Sequence, residues 1–275
     1  MSLDDIPPAD PVSPPSPASI SSVDSDIDDD MVRLSDINTV AHLYKTAVLK
    51  KLAADKLRHP VRPDLLDRVA LFQGDITTLK IDAIVNAANR SLLVDGAIHS
   101  AAGPKLLEEC RGLNGCATGE SKITRGYNLP ARHIIHTVGP VYSSKFVEER
   151  AEQLESCYKT SLQLAVENGL KHIAFPSVST GIYSYPIVDA TRIALNTVRA
   201  FLDTEVGNKL DRVIFVVWSD KDLGVYETLI PEYFPIGDTP AEDSAEKKTD
   251  SPADDTIEVE KKSDAAVSEP DQPAS

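Results

Sequence analysis

Residues 83–103, which read AIVNAANRSLLVDGAIHSAAG, hold polar side chains whose types and spacing could do chemistry. Asn86 and Asn89 follow a short apolar run. Asp95 comes six residues after Asn89, and His99 lies in the apolar-periodic segment that follows. Carboxamides at the end of a buried strand must be hydrogen-bonded, either to the backbone or to a ligand. Since open α/β sheets bind ligands where strands end and helices begin, this stretch predicts a polar ligand site.

Each of these side chains also has a structural interpretation. Asn86 and Asn89 could lock a loop. Asp95 could cap the helix that follows, or it could pair with His99 to orient a water for general-base hydrolysis. A single histidine on an amphipathic helical face is more often structural. Asp75 follows another strand-like run and could accept a hydrogen bond from a ligand amino group, but its chemistry alone favours the cap of a short helical turn.

A second stretch, residues 176–186, reads PSVSTGIYSYP and connects a strand-like run to a helix beginning near Ile187. Small and hydroxyl residues around Gly181 allow backbone N–H groups to turn toward an anion. Tyr183 could stack on a sugar or a base. Because no lysine follows the glycine and no GxGxxG pattern occurs here, the stretch is neither a P-loop nor a dinucleotide fingerprint.

The acidic residues are concentrated at the two ends of the chain. Residues 1–31 and residues 237–275 each carry a net charge of −8, while the whole chain carries −15, so residues 32–236 carry +1. Both ends are rich in Pro, Ser and acidic residues, which predicts disordered acidic tails that mainly solvate the protein. The near-neutral middle argues against general nucleic-acid binding through a basic patch.

Strand-like and helix-like segments alternate through the middle of the chain. A capping signal at Ser35 or Asp36 predicts one or two helices within residues 35–57, on the outside of the domain. The alternation from Arg68 onward predicts a three-layer α/β/α domain with a mixed, largely parallel central sheet. The predicted strands are 69–73, 83–86, 133–138, 172–177 and 212–218, with 122–128 as a candidate sixth. The predicted helices are 95–102, 104–113, 146–168, 187–202 and 223–230. The predicted parts of the chain are the tail 1–31, the helical extension 32–59, the domain 60–236 and the tail 237–275.

The three cysteines Cys110, Cys116 and Cys157 form no CxxC pair, and the sequence suggests no cluster with the histidines. This pattern predicts reduced thiols in a cytoplasmic or nuclear protein, without a metal site. No apolar run approaches the ~20 residues of a membrane helix. The first thirty residues show neither the apolar core of a signal peptide nor any arginine. We expect no membrane partner. We also expect a monomer that needs no cofactor.

Five motifs together resemble the macrodomain family, in the same order and at similar spacing. They are GDIT, IVNAAN, VDGAIHSAAG, ITRGYNLPARHIIHTVGP and PSVSTGIYSYP. Over about residues 65–232, the chain looks most like the MacroD-type ADP-ribosylhydrolases. The resemblance implies a macrodomain fold and an enzyme that removes mono-ADP-ribose from acidic side chains of proteins. It also implies ADP-ribose and mono-ADP-ribosylated proteins as partners, with O-acetyl-ADP-ribose deacetylation as a related activity.

The resemblance also implies a role for each candidate residue. Asp75 would bind the adenine amino group, with the Ile76 backbone beside it. Asn89 would contact the distal ribose, Asp95 would activate the water or a ribose hydroxyl, and His99 would lie behind that loop. The other implied ligand-binding residues, mainly in the loop around the diphosphate and the distal ribose, are Asn86, Ser177, Ser179, Thr180, Gly181, Ile182 and Tyr183.

Two departures from the family pattern concern these loops. Relatives usually read LLGGGGVDG, whereas this chain reads LLVDG, which brings Asp95 four residues closer in sequence to Asn89. The loss corresponds to up to ~13 Å of extended chain. Ser184 replaces the second glycine of the usual GIYGYP, and a serine is strained there if the position needs a positive φ.

Two functions of different class follow from this pattern. Retention of Asn89, Asp95 and His99 favours an ADP-ribosylhydrolase, because a pure binding module needs no such set. The shortened loop favours the alternative, a reader that binds ADP-ribose but hydrolyses it poorly, since a displacement of Asp95 by 1 Å can cost ~100-fold in rate.

Overall fold

The computed structural model of the chain describes residues 31–93 and 96–237. Both predicted acidic tails, except for Met31 and Gly237, lie outside the described residues. The strands are β1 Val32–Arg33, β2 Val69–Gln73, β3 Leu79–Lys80, β4 Ala83–Ala88, β5 Ser121–Arg125, β6 His133–Val138, β7 His172–Pro176 and β8 Arg212–Val217. The helices are α1 Val40–Lys45, α2 Pro63–Leu66, α3 Ala97–Ala102, α4 Pro104–Gly112, α5 Val147–Glu167, α6 Ile187–Leu202 and α7 Asp220–Tyr233.

Six strands form the central sheet in the order β2-β8-β7-β4-β6-β5. Every pairing is parallel except that of β5 with β6, which confirms the predicted mixed, largely parallel sheet. The candidate sixth strand is therefore real, as an antiparallel edge. A separate two-stranded sheet joins β1 to β3 and was not predicted, because two residues are too short to show a pattern.

The sheet is buried on both faces, as the Val- and Ile-rich strands predict. Successive residues of β4 point to opposite sides: Val85 packs with α5, α6 and α7, whereas Ile84 packs with α3 and α4. This alternation produces the three layers. Within residues 31–93 and 96–237, no helix is both long and apolar enough to span a membrane.

The N-terminal segment differs from its prediction. Helix α1 begins after Thr39, whose Oγ1 accepts a hydrogen bond from the His42 N–H at 3.2 Å, so the predicted cap at Ser35 or Asp36 is wrong. Ala47 adopts a φ of +58° shortly after α1 ends, which is incompatible with a continuing helix. The buried side chains of α1, such as Val40, join the core formed by α5, α6 and α7.

Asp82 precedes β4 and forms hydrogen bonds with residues at the beginnings of β6 and β7. Its Oδ2 accepts hydrogen bonds from the backbone N–H groups of Lys171 and His172, at 2.7 and 3.1 Å, and its Oδ1 lies 2.5 Å from Arg132 Nη2. Burial acts to raise the pKa of Asp82, but the Lys171 N–H, with the charges of His172 and Arg132, holds that pKa below its usual range. The carboxylate is therefore stabilised as the anion.

We predict that Asp82→Asn lowers the free energy of unfolding by about 1–3 kcal/mol at pH 7, because a neutral amide has one acceptor oxygen, so Arg132 and the two N–H donors can no longer all be paired. The folded-state pKa is depressed, so this contribution is present above about pH 4 and is lost as the pH falls through the folded value. Urea titrations at pH 7, 5 and 3.5 measure the free energy of unfolding of wild type and variant. The difference between the two should be smaller at pH 3.5 than at pH 7. The control Asp211→Asn alters an exposed carboxylate 3.9 Å from Lys171 Nζ and should change stability by less than about 0.5 kcal/mol. A difference in the free energy of unfolding that increases in acid would contradict the conclusion that Asp82 is stabilised as the anion.

Candidate functional site

A cleft of about 500 Å³ opens where β4, β6 and β7 end. The carboxyl ends of parallel strands meet at one edge of a sheet, so loops from distant parts of the sequence converge there. The residues that line the cleft are Asn86, Ala87, Ala88, Asn89, Leu92, Gly96, His99, Gly139, Ser177, Ser179, Gly181, Ile182 and Tyr183.

Most of the predicted site residues share this cleft. Those that line it are Asn86, Asn89, His99, Ser177, Ser179, Gly181, Ile182 and Tyr183. Asp75, Ile76 and Thr180 are not among the lining residues, and Asp95 lies outside the described residues. Gly139 was not predicted, although a glycine directly after the apolar run of β6 is a signal that could have identified it.

Asn89 both shapes its loop and retains a free donor. Its Oδ1 accepts hydrogen bonds from the Ser91 N–H at 3.1 Å, from Ser91 Oγ at 2.9 Å and from the Leu92 N–H at 3.1 Å. Among the described residues, the Nδ2 of Asn89 has no hydrogen-bond partner. The side chain therefore locks the loop after β4 and still offers an N–H donor to a ligand.

The loop after Asn89 is tight in this chain. Leu92 is 1% exposed and adopts a φ of +62°, which a branched side chain rarely does. Helix α3 begins at Ala97, after an extended Gly96, two residues later than predicted. The predicted cap and catalytic role of Asp95 fall on a residue outside the described ranges.

A buried polar network lies behind the cleft and holds the Asn86 side chain. Asn86 Nδ2 lies 3.1 Å from His136 Nδ1, and His136 Nε2 lies 2.9 Å from Thr124 Oγ1. Burial, and then the nearby His99, lower the pKa of His136 to about 3, so the ring is neutral at pH 7. A neutral imidazole that accepts from Asn86 at Nδ1 carries its proton on Nε2 and donates to Thr124. Asn86 Oδ1 then remains available as an acceptor.

The expectation that no cysteine clusters with the histidines is wrong. Cys110 Sγ lies 3.8 Å from His136 Nε2, because α4 packs against β6, and the nearest ligand atoms of His99, Cys110 and His136 lie within 4.8 Å of one another. Nitrogen and sulfur donors are a set that zinc accepts. However, both ring nitrogens of His136 already have partners, and burial raises the pKa of the Cys110 thiol to about 11. The geometry therefore fits a hydrogen-bonded thiol and imidazole better than a thiolate ligand.

The loop after β7 presents unused backbone donors to the cleft. Ser184 N–H donates to the Gly181 carbonyl at 2.9 Å, and Tyr142 N–H donates to the Tyr183 carbonyl at 3.0 Å. Among the described residues, the N–H groups of Gly181, Ile182 and Tyr183 have no acceptor. Successive unpaired N–H groups in a turn form a concave anion site. The loop is therefore suited to a phosphate.

Gly139 determines how closely the end of β6 approaches that loop. A Cβ atom at this position would overlap Ser179 Oγ and would also press on the Val178 side chain. The Ser179 hydroxyl is buried, has no partner among the described residues and lines the cleft. The absence of a side chain at Gly139 therefore leaves room for the Ser179 hydroxyl beside the N–H groups of the loop. Ser179 itself adopts a φ of +66°.

Asp75 acts as a cap, which its chemistry alone favoured. Its Oδ1 accepts a hydrogen bond from the Thr77 N–H at 2.8 Å and begins the 3-10 turn Ile76–Thr78. The other carboxylate oxygen has no hydrogen-bond partner among the described residues. Asp75 therefore keeps one acceptor for a ligand, on a half-buried segment that follows β2.

Comparisons with known proteins agree with this architecture. The profile of the Macro domain family matches residues 85–194. The chain is 48% identical to human ADP-ribose glycohydrolase MACROD2, over 70% of this chain and 46% of that protein, so it spans less than half the length of this relative. It is 59% identical to a macro domain-containing protein of Chlorobaculum tepidum, over 56% of this chain and 91% of the relative. The crystal structure of a Trypanosoma brucei macrodomain in complex with ADP-ribose is 40% identical, with a TM-score of 0.61, over 73% of this chain and 77% of that one.

Ser184 adopts a φ of +54°, so the serine that replaces a glycine of the motif is strained, as expected. We predict that Ser184→Gly raises the free energy of unfolding by about 0.5–1 kcal/mol, because glycine removes the steric cost of the left-handed conformation. The control Ser144→Gly, at an exposed position of negative φ, should lower it by a similar amount. Urea unfolding distinguishes the two. A loss of stability in Ser184→Gly equal to that of the control would disprove the strain.

Proposed function

The chain belongs to the macrodomain family, and from that premise we propose that its cleft binds ADP-ribose and hydrolyses the bond between mono-ADP-ribose and an acidic side chain of a protein. The observation that carries the proposal is the meeting of two features in one cleft. Asn86 and Asn89 offer carboxamide groups at the end of β4, and the loop around Gly181 offers unpaired N–H donors. Together they suit a ligand that contains both a sugar and a diphosphate.

The anion site suits the diphosphate because its neutral N–H and O–H donors can stabilise the phosphate charge by directed hydrogen bonds. The N–H groups of Gly181, Ile182 and Tyr183 and the hydroxyl of Ser179 would supply up to four donors. Hydrogen bonds to a charged acceptor contribute about 1.5–3 kcal/mol each, more than bonds between neutral groups. The near-neutral charge of residues 32–236 supports this account, since binding then depends on directed donors.

The contacts with the sugar and the base follow from the acceptors and donors that the protein leaves unpaired. Asn89 Nδ2 would donate to the distal ribose, and Tyr183 would cover it. Asp75, through its second carboxylate oxygen, would accept from the adenine amino group, with the Ile76 backbone beside it. His99 lines the cleft and would support the α3 side of the distal ribose.

In the hydrolysis that we propose, Asp95 acts as the general base on a water or a ribose hydroxyl. Water adds across the bond between the distal ribose and the carboxyl oxygen, so the ribose gains a hydroxyl and the protein regains its carboxylate. Gly96, which follows Asp95 in the sequence, lines the cleft together with Asn89, and this supports hydrolysis at that end of the cleft. The human relative MACROD2 is named an ADP-ribose glycohydrolase, which supports an enzyme over a reader.

Three finer statements belong to the same proposal. O-acetyl-ADP-ribose would be a small-molecule substrate, because it presents the same diphosphate and riboses with an ester to cleave. Mono-ADP-ribosylated proteins would be the partners, bound by a monomer of this chain. The three free, buried thiols support a reducing compartment, the cytoplasm or the nucleus.

We predict that Gly139→Ala weakens ADP-ribose binding at least ~10-fold, because the new methyl group displaces Ser179 from the anion site; overpacking of this kind costs about 1–3 kcal/mol. The control Gly224→Ala adds a methyl group that meets nothing, inside α7, and should leave the affinity unchanged. Calorimetric titration of the full chain measures both. Equal affinity in wild type and Gly139→Ala would contradict the assigned anion site, and no binding by wild type would refute the proposed function.

We predict that Asp95→Ala slows the release of ADP-ribose from a mono-ADP-ribosylated glutamyl protein by at least ~100-fold, while ADP-ribose affinity stays within a few-fold. Removal of one general base costs typically 10²–10⁴-fold in rate. Insertion of four glycines after Leu93 tests the effect of loop length on the same assay. Tight binding by wild type without release would establish the reader instead, and a large gain from the insertion would then locate the defect in the shortened loop.

A further inference from the structure

A second cavity, of about 270 Å³, adjoins the cleft. Gly139 and Tyr183 line both spaces, so the two are neighbours at the end of β6. The other residues that line the second cavity are Arg90, Thr118, Val138, Pro140, Val141 and Arg150. None of them has a role in the binding of ADP-ribose described above.

The wall of this cavity is cationic. Among the described residues that line it, the charged ones are Arg90 and Arg150, and none is a carboxylate. Glu149 Oε1 lies 3.0 Å from Arg150 Nη1, but the Glu149 side chain is 54% exposed and does not line the cavity. This charge contrasts with the near-neutral composition of residues 32–236 as a whole.

Each guanidinium group has a hydrogen-bond partner and also N–H donors that have none among the described residues. Arg90 donates from Nε to Thr118 Oγ1 at 3.2 Å. Arg150 donates from Nη1 to Gln153 Oε1 at 2.7 Å, and its Nε is buried with no partner among the described residues. The ring of Phe146 lies 5.8 Å from the Arg150 guanidinium carbon and helps to hold it. Both side chains therefore retain N–H donors at the wall of the cavity.

The cavity lies at one particular end of the cleft. Arg90 directly follows Asn89, and Tyr183 forms part of both walls. In the proposed function, which this inference rests on, Asn89 and Tyr183 hold the distal ribose, and the distal ribose carries the bond to the protein. The cavity therefore lies beside the point at which the modified protein leaves the cleft.

We propose that this cavity is a subsite for an acidic side chain of the substrate protein, close in sequence to the residue that carries ADP-ribose. A carboxylate matches the donor geometry of a guanidinium group. The volume is about half that of the main cleft and below the 300–1,000 Å³ of most ligand pockets, so it fits a single side chain better than a second nucleotide. Val141, which is 60% exposed at the rim, provides apolar contact for the peptide backbone.

The test uses two peptides that each carry one mono-ADP-ribosylated glutamate, flanked either by Asp and Glu or by Ala. The full-length chain is compared with Arg90→Gln, with Arg150→Gln and with the double variant. Arg125→Gln is the matched control, because Arg125 is exposed on the edge strand β5 and lines no described cavity. The readout is the ratio of kcat/KM for the acidic peptide to that for the alanine peptide. If the chain proves to be a reader, the ratio of the two affinities replaces it.

We expect wild type and Arg125→Gln to prefer the acidic peptide by about three- to tenfold, since partly exposed ion pairs contribute about 0.2–1 kcal/mol each. The preference should fall to near unity in the double variant and should weaken at 0.5 M salt. An unchanged preference in the double variant, or none in wild type, overturns the subsite. Competition by a short RNA but not by an unmodified acidic peptide also overturns it, in favour of a phosphate site. Absence of free ADP-ribose binding would instead refute the proposed function on which the subsite rests.

Discussion

The structure of the site depends on the close approach of two chain segments where β6 and β7 end. Gly139 has no side chain, so Ser179 can occupy the space next to it, and the loop from Ser177 to Tyr185 folds back over the strand ends. That fold leaves the N–H groups around Gly181 without acceptors. Gly181 and Ile182 are exposed, so these donors can face solvent until a ligand displaces it, and no protein group among the described residues competes for them. The unpaired donors constitute the anion site.

The other side of the cleft depends on a buried network that contains no ionised group. His136 is kept neutral by burial and fixes the amide of Asn86 through one nitrogen while it donates to Thr124 through the other. Cys110 joins the network from α4. Because both nitrogens of His136 are paired, this network fixes the Asn86 carboxamide and leaves its oxygen for a ligand. The two sides of the cleft thus combine fixed donors with a fixed acceptor.

The parts of this account that sequence could predict are those encoded by local pattern. The continuous apolar runs gave β2 and β6 with their observed ends, and polar residues after the run of β4 predicted Asn86 and Asn89 at a site. The cap of α1 was mispredicted because Thr39 competes with Ser35, and only tertiary packing decides between them. The contact of Cys110 with His136 joins residues 26 positions apart and requires the packing of α4 on the sheet. Local patterns carry no information about such contacts.

The most direct measurement is a crystal structure of the full chain with ADP-ribose bound. The account predicts the diphosphate on the N–H groups of Gly181, Ile182 and Tyr183, with the distal ribose between Asn89 and Tyr183. It also predicts the Asp95 carboxylate within hydrogen-bond reach of that ribose, directly or through one water. A diphosphate bound away from this loop would contradict the account of the cleft. An Asp95 carboxylate turned away from the ribose would contradict the proposed hydrolysis.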